Sequence, residues 1–307
     1  MEFRHELEEL RRLQALPLDE KIALSKVRIE EWYTHWGGKV SVSYSGGKDS
    51  TVLLDLVRSM YPDVPAVYAD TGLDLPEVKD FVKATPNVIR VKPAMSFRQV
   101  IDQYGWVFPS KETAQYIEDA RRGVRYAVNA FEGLNTDGTP SLSHQKYKVR
   151  WKFLIDAPFK ISPKCCKVMK EDPLDSFAAS TGCKPLIGLM ATESKRRELT
   201  WRKSGCNAFD TRRPSSKPLS FWSDQDVLSY ILLRGLEIPS CYGEIITRHG
   251  KLTTSGEKRT GCVFCLIGAH LHNSRLARLK VSHPALYRYC LEQLGMKKVL
   301  EWLKIPY

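Results

Sequence analysis

Apolar residues recur at helical steps along the first part of the chain. Phe3, Leu7, Leu10, Leu13 and Leu16 stand three or four apart among charges, which predicts an amphipathic helix over 2–16, ended by Pro17. Asp19 reads as the N-cap of a second helix, with Ile22, Ile29, Trp32 and Trp36 on one face and Gly37-Gly38 at its end. From residue 40 the pattern changes. Val40-Ser-Val-Ser-Tyr44, Ala66-Val-Tyr-Ala69 and Val88-Ile-Arg-Val91 read as short strands, and helices are predicted between them over 51–60 and 76–83. A further strand is predicted over 185–190. Strand alternating with helix predicts the α/β class, a parallel, twisted sheet with helices on both faces.

Later segments are less regular. A basic helix is predicted over 112–128, with Arg121, Arg122 and Arg125, followed by an exposed loop over 133–146 rich in Gly, Ser, Thr and Asn. Ser223 caps a helix that runs to Arg234, and 284–304 is again helical in pattern. Trp106, Trp151, Trp201, Trp222 and Trp302 read as packing residues. Three regions result: a helical extension over 1–37, an α/β domain over 38–235 and a C-terminal region over 236–307.

Charge narrows the choice of partners. Lys and Arg number 47 against 35 Asp and Glu, a formal net charge of +12 over 307 residues. Such an excess favours polyanions, nucleotides first and nucleic acid next, with a solvated basic surface as the alternative. No apolar run approaches the roughly 20 residues of a membrane span, and the first 30 residues lack the apolar block of a secretory leader. The expected setting is therefore cytoplasmic, with reduced thiols and no membrane partner. Eight cysteines then point to metal or catalytic use rather than to a disulfide framework.

Ser45-Gly46-Gly47-Lys48-Asp49-Ser50 lies directly between a predicted strand and a predicted helix. Two glycines let the backbone turn sharply and approach an anion. The following helix offers unpaired N–H groups and the positive end of its dipole. Lys48 adds a point charge, and Ser45 and Ser50 add hydroxyls. Asp49 is out of place in a site that only attracts anions, and a role in placing Mg²⁺ or water accounts for it. The spacing is not that of a Walker loop. A turn without a ligand is the bland alternative.

These residues resemble the PP-loop ATP pyrophosphatase superfamily, and within it the phosphoadenosine phosphosulfate (PAPS) reductase-like family. Asp70-Thr71-Gly72, after the second strand, looks like the family segment that flanks the adenosine. Gly188-Leu-Met-Ala-Thr-Glu193-Ser-Lys-Arg196-Arg197 is similar to its later nucleotide-contacting strand and basic loop, and Pro218-Leu-Ser-Phe-Trp-Ser-Asp-Gln-Asp-Val to its proline–tryptophan helix start. The resemblance spans about 38–268. It implies a doubly wound fold that binds ATP or another adenine nucleotide with Mg²⁺. Lys48 and Asp49 would act on the phosphates, Arg196 or Arg197 would neutralise the α-phosphate region, and Glu193 would orient it.

Cys165-Cys166 and Cys262-Val-Phe-Cys265 form two pairs that can supply four thiolates to one centre. Zinc and an iron–sulfur cluster both fit, and spacing alone favours zinc. The adjacent pair followed by a distant C-x-x-C resembles the [4Fe–4S] site of assimilatory adenylylsulfate (APS) reductases, which implies that cluster here. Lys164, Lys167 and Arg259 would offset its charge. Cys183 and Cys290 read as buried thiols. Cys206, beside Lys203, is a candidate for a low-pKa thiolate. His270, His272, Arg275, Arg278 and Lys280 form a candidate basic face.

One departure from the resemblance bears on activity. The sulfate-assimilating reductases carry a tail motif, Glu-Cys-Gly-(Ile/Leu)-His, and nothing here matches it. The loop has the form used by members that consume ATP itself, adenylate an acceptor oxygen and let a nucleophile displace AMP. The expected function is thus ATP-dependent sulfur transfer to a nucleic acid or nucleotide, helped by a sulfur-donor protein or reductant. An APS or PAPS reductase releasing sulfite is one alternative. A nucleic-acid-binding module with a sensing nucleotide site and a structural metal is another.

Overall fold

The central strands of the sheet are short, and those at its middle leave water almost completely. Val40 and Val42 of β1 (Val40–Ser43) and all of β2 (Ala66–Ala69) are buried, as strands covered on both faces require. β3 (Val88–Val91) is half exposed, in keeping with its place at the sheet edge. The computed structural model describes residues 3–141, 148–272 and 274–307. These residues fall into two compact units that interleave along the chain: unit 1 is Met1–Asp70, Asp74–Lys92 and Pro173–Thr260, and unit 2 is Thr71–Leu73, Pro93–Asp172 and Gly261–Tyr307.

Unit 1 holds a six-stranded sheet in the order β3-β2-β1-β4-β6-β5, with β4 at Lys184–Ile187, β5 at Asn207–Ala208 and β6 at Ser215–Ser216. β1 pairs in parallel with β2 on one side (Val42 opposite Ala66) and with β4 on the other (Val42 opposite Leu186). The expected parallel sheet is found, with one addition: β5 runs antiparallel to β6 at the far edge. The chain leaves β1 toward β2 and β3 and later returns to β1's other side. The crevice between the ends of β1 and β4 is therefore a topological switch point, where α/β sheets hold ligands.

Helices of unit 1 follow the predicted pattern with shifted ends. α1 (Leu7–Gln14) buries Leu10, and α2 (Leu18–His35) buries Lys21, Ser25, Ile29 and Trp32 at helical steps. Asp19 is not the cap of α2. Pro17 holds that position, and Asp19 and Glu20 lie in the first turn, where they face the positive end of the dipole. α3 (Lys48–Arg58) packs Val52, Leu53, Leu56 and Val57 inward, and α4 (Pro76–Ala84) opens on its proline. α8 (Asp172–Thr181) precedes β4, and α9 (Lys195–Ser204) follows it. In α10 (Asp224–Arg234) Ser223 and Asp226 form a reciprocal capping box, and Gly235 closes the helix in the left-handed conformation. A β7–β8 hairpin (Ile245–Arg248, Lys251–Thr254) ends the unit.

Unit 2 is helical: α5 (Phe97–Tyr104), α6 (Lys111–Arg121), α7 (Arg125–Phe131), α11 (Arg275–Ser282), α12 (Pro284–Glu292) and α13 (Met296–Trp302). The single basic helix expected over 112–128 is two helices. The chain turns at Gly123, which takes φ 74°. Arg121 does not face solvent freely, for its guanidinium donates to the carbonyls of Leu154, Ile155, Ala157 and Phe159, each at 2.9 Å. The helical tail likewise breaks at Gly295. The part of the predicted loop at 142–147 lies outside the described residues. Trp106, Trp151, Trp201 and Trp222 are buried as expected, and Trp302 is half-buried. No helix among the described residues is long and apolar enough to cross a membrane.

Three hydrogen bonds from two side chains of α2 tie it to the α10 end of unit 1. Lys21 Nζ, itself buried, donates to Asp226 at 2.8 Å. Ser25 Oγ accepts from the Trp222 indole at 2.9 Å and donates to the Pro218 carbonyl at 3.0 Å. Replacing Ser25 by Ala strands a buried donor and a buried acceptor. Such groups cost about 1–3 kcal/mol each, so urea unfolding of Ser25→Ala should show a loss of at least about 1 kcal/mol.

Candidate functional site

The loop between β1 and α3 is shaped by contacts that only glycine permits. Gly46 takes φ 69°, and a Cβ there would sit 2.6 Å from Val82 and 2.9 Å from Val78 of α4. Ser45 and Ser50 spend their hydroxyls inside the loop. Ser50 Oγ donates to the Gly47 carbonyl at 2.9 Å and accepts from the Ser45 amide at 3.2 Å, and the two hydroxyls meet at 3.0 Å. Thr51 Oγ1 also donates to the Gly47 carbonyl, at 3.1 Å. The loop thus holds its own shape at the switch point.

Lys48 lies at the centre of the site. Its side chain is 1% exposed, and its Nζ donates to Asp49 at 2.7 Å and to Asp224 at 2.5 Å. Burial works against the charge, but the two carboxylates outweigh it and hold the Lys48 pKa above its ordinary value. Its backbone amide donates to the Tyr242 hydroxyl at 3.2 Å, and that hydroxyl meets Thr260 Oγ1 at 3.1 Å. Asp224, Tyr242 and Thr260 were not anticipated as site residues. Asp224 is legible in sequence only as part of a cap, and Tyr242 carries no signal at all.

Behind β4 the expected residues gather in unit 1. Gly188 passes so close to the start of α3 that a Cβ would lie 3.0 Å from the Asp49 carbonyl. Glu193, its side chain largely buried, accepts from the Met190 amide at 3.1 Å and pairs with Arg197 and, at 2.9 Å, with Arg259. Burial and the like charge of Arg259 lower the Arg197 pKa, and Asp49 opposes them. Arg197 thus feels the loop's Asp49 and shares Glu193 with Arg259, whereas Arg196 is exposed on α9. Asp70 ends β2 in unit 1, with its amide bonded to the Val91 carbonyl at 2.8 Å. Thr71 and Gly72 group with unit 2, where Leu73 accepts from the Val263 amide at 2.7 Å.

All four predicted cysteine ligands belong to unit 2. Cys165 and Cys166 lie in a short helical turn, Lys164–Cys166, that continues into a π-helical turn, Lys167–Glu171. Cys262 and Cys265 close a tight turn through the Cys265 amide and the Cys262 carbonyl, at 3.3 Å. Burial pushes the Cys165 thiol well above its ordinary range, and Cys166, Cys262 and Cys265 push it further, while Lys170 works against them. For Cys265 burial again dominates, opposed by the Ile267 amide and Arg275. Cys166, Cys262 and Cys265 thus act electrostatically on Cys165, with Lys170 and Arg275 nearby, a donor set suited in kind to a thiolate-ligated group. Among the described residues, however, no three His, Cys, Asp or Glu side chains stand in position to hold a metal ion.

Other cysteine and histidine expectations change. Cys206 is buried, and burial raises its pKa rather than depressing it. Cys183 is half-exposed, while Cys290 is fully buried in α12. His270 is not on an open basic face, for it packs edge-on against Phe108 and Trp151. Arg275 is also engaged, donating to the Cys262 carbonyl at 3.1 Å.

The phosphoadenosine phosphosulfate reductase domain family matches residues 39–104 and 103–257. The chain belongs to that family. Family membership covers the phosphate loop, Glu193, Arg197 and the Cys165-Cys166 pair, and it stops short of Cys262 and Cys265. An uncharacterized protein of Methanocaldococcus jannaschii is 26% identical over 258 residues, 83% of this chain and 47% of that protein. The adenosine 5'-phosphosulfate reductase of Geobacillus kaustophilus is 25% identical over 126 residues, 38% of this chain and 54% of that enzyme. The chain spans about half the length of these curated relatives. A PAPS reductase from Candida auris, solved with phosphate, aligns over 82% of this chain and all of its own at 14% identity and a TM-score of 0.40.

The Tyr242 hydroxyl accepts the buried Lys48 amide and also bonds Thr260 Oγ1. Tyr242→Phe should therefore cost about 1–3 kcal/mol of stability, read by chemical denaturation of the nucleotide-free protein.

Proposed function

We propose that the chain binds ATP at the Ser45–Ser50 loop and uses it to activate an oxygen of a nucleic-acid or nucleotide acceptor for replacement by sulfur. The observation that carries this reading is the buried Lys48 ammonium held between Asp49 and Asp224 at the sheet's switch point. A loop built only to bind an anion has no use for two carboxylates on its lysine. A loop that must also place Mg²⁺ against a polyphosphate does, and Asp49 suits that role. The first-turn amides of α3 and Lys48 would take the phosphates and stabilise charge on departing pyrophosphate. Arg197 and Arg259 would face the α-phosphate, kept in position by Glu193.

In the first step the acceptor oxygen attacks the α-phosphorus. An O–P bond forms, and the bond to pyrophosphate breaks with its electron pair leaving on pyrophosphate. A sulfide equivalent then attacks the activated carbon, a C–S bond forms and AMP leaves with the former C–O pair. No net oxidation occurs. Cys165, Cys166, Cys262 and Cys265 would hold a [4Fe–4S] cluster, and with all four irons thiolate-ligated it would supply a one-electron centre.

A nucleic-acid acceptor is supported by where the charge lies. Unit 2 carries 20 of the 47 Lys and Arg and 11 of the 35 Asp and Glu, a net +9 of the total +12. The reductase reading draws on the named G. kaustophilus relative. Against it, Cys290 is buried in α12 and its thiol is pushed up by burial, which does not suit a nucleophile for sulfonyl sulfur.

Calorimetry should show that Lys48→Ala weakens ATP binding by about 1.5–3 kcal/mol, the worth of a charged hydrogen bond. Acceptor-dependent pyrophosphate release, with no sulfite from APS or PAPS plus thiol, supports sulfur transfer, and thiol-dependent sulfite release would establish the reductase instead. Binding to RNA or DNA should fall steeply with salt.

Metal content tests the thiols separately. Anaerobically purified protein should contain iron and be brown, and each of Cys165→Ser, Cys166→Ser, Cys262→Ser and Cys265→Ser should lose that colour. One equivalent of zinc without iron would show a structural metal in its place.

A further inference from the structure

One element of unit 1 takes no part in the phosphate site itself. The β7–β8 hairpin pairs Ile245 with Thr254, Ile246 with Thr253, Thr247 with Leu252 and Arg248 with Lys251. Its two-residue turn is His249-Gly250, with φ 49° and 73°, the doubly left-handed form that suits the twist of a hairpin. The base is closed by the Ser255 amide on the Glu244 carbonyl and the Gly256 amide on the Tyr242 carbonyl, each at 2.8 Å. One outer edge is locked as well. The Gln225 side chain accepts from the Leu252 amide and donates to the Leu252 carbonyl, both at 2.8 Å. Gln225 follows Asp224, which holds Lys48, and Tyr242 accepts the Lys48 amide. The hairpin is therefore braced at its root against the phosphate loop.

Its tip is a different matter. Arg248, His249, Gly250 and Lys251 are all exposed. Arg248 and Lys251 stand directly opposite each other, an arrangement of like charges that costs stability. Among the described residues neither meets a carboxylate that would offset that cost. These cations do not belong to a general basic surface, for unit 1 carries only +3, what remains of +12 after the +9 of unit 2. Two unneutralised cations at the end of a braced ribbon call for a partner with anions in series. A phosphodiester backbone supplies them.

The form of the ribbon narrows the kind of nucleic acid. The major groove of B-form DNA, about 12 Å wide, admits a two-stranded β-ribbon, whereas that of an RNA duplex is deep and narrow. Unpaired bases are held by stacking on aromatic rings, and residues 245–254 include no Phe, Tyr or Trp. We propose that the β7–β8 hairpin is a DNA-binding arm that lies in the major groove of a duplex and sets Arg248 and Lys251 on its backbone phosphates. Three residues at about 3.4 Å each, or about 10 Å, separate the tip pair from the Ile245–Thr254 pair. That span equals about three base pairs, so the arm holds the duplex close to the phosphate loop. The inference deepens the nucleic-acid reading of the acceptor and rests on it, but not on ATP use.

Fluorescence anisotropy of the full chain with a labelled DNA duplex, titrated at several salt concentrations, tests it. Arg248→Ala/Lys251→Ala is expected to bind about tenfold more weakly than wild type, and to lower the slope of log affinity against log salt by about 2. Its melting temperature should not fall, since the like-charge pair is removed. Arg11→Ala/Arg12→Ala takes the same charge from exposed positions of α1 and should leave affinity and slope nearly unchanged. Salt-sensitive duplex binding that is equal in wild type and the hairpin variant overturns the proposal, and so does an equal loss in the α1 variant. A loss seen with RNA and not with duplex DNA also overturns it and assigns the arm to RNA. Absence of nucleic-acid binding by the wild type defeats it together with the nucleic-acid reading, an outcome distinct from the others.

Discussion

The ammonium of Lys48 lies almost wholly out of water, and an unpaired charge there would cost several kcal/mol. Asp49 and Asp224 remove that cost, and in doing so they dictate which elements of unit 1 must meet. Asp49 is the next residue in α3, so it needs no further support. Asp224 opens α10, some 175 residues later in the chain, and must be brought to the start of α3 by everything between. The capping box of Ser223 and Asp226 fixes where α10 begins. Asp226 is in turn gripped by Lys21 of α2, and Trp222 by Ser25. One buried cation at the phosphate loop is thereby coupled to the seating of α2, which sequence alone presents as an appended helix.

How much of this is legible in the sequence depends on the range of the interaction. The loop could be read because its glycines, lysine and flanking strand and helix are contiguous, and the same holds for β1, β2, β3 and the Ser223 cap. Asp224 could not be read as a partner of Lys48, because a capping residue and an ion-pair partner look alike until the helices are placed. Tyr242 and Thr260 act through a hydroxyl bridge to a backbone amide, a contact with no sequence pattern. The break between α6 and α7 had a local marker in Gly123, but a helical charge pattern on both sides concealed it. Cys206 misled for a related reason: basic neighbours in sequence predict a thiolate, whereas burial decides the pKa.

The cysteines show the opposite balance. Their pairing was visible as two short motifs, and in unit 2 the other three thiols act electrostatically on Cys165, though among the described residues no three are grouped to hold a metal. Their geometry was not visible, since it depends on how a π-helical turn after Cys166 and the Cys262–Cys265 turn are held. Burial and the neighbouring thiols raise the cost of ionising Cys165 and Cys265, so their thiolates are unfavourable without a compensating positive charge. Lys170 and Arg275 supply part of that charge. A bound cationic centre would supply the remainder, which is the physical sense in which these thiols and two cations suit a thiolate-ligated group in kind.

Charge saturation is common to both halves of the phosphate site. Lys48 is shared by two carboxylates, and Glu193 is shared by two arginines. In the absence of nucleotide each buried charge already has its counter-charge, so the site is folded rather than held apart by repulsion. On the proposed reading, a polyphosphate entering the loop would bring its own negative charge to Lys48. Asp49 and Asp224 would then be surplus acceptors beside it, and a divalent cation would restore neutrality. The same exchange would free Arg197 and Arg259 from sole dependence on Glu193, because the α-phosphate offers them a second anion. Pre-paired charges of this kind would let one set of side chains stabilise two states, with a nucleotide and its metal taking the place of partners that the protein otherwise provides for itself.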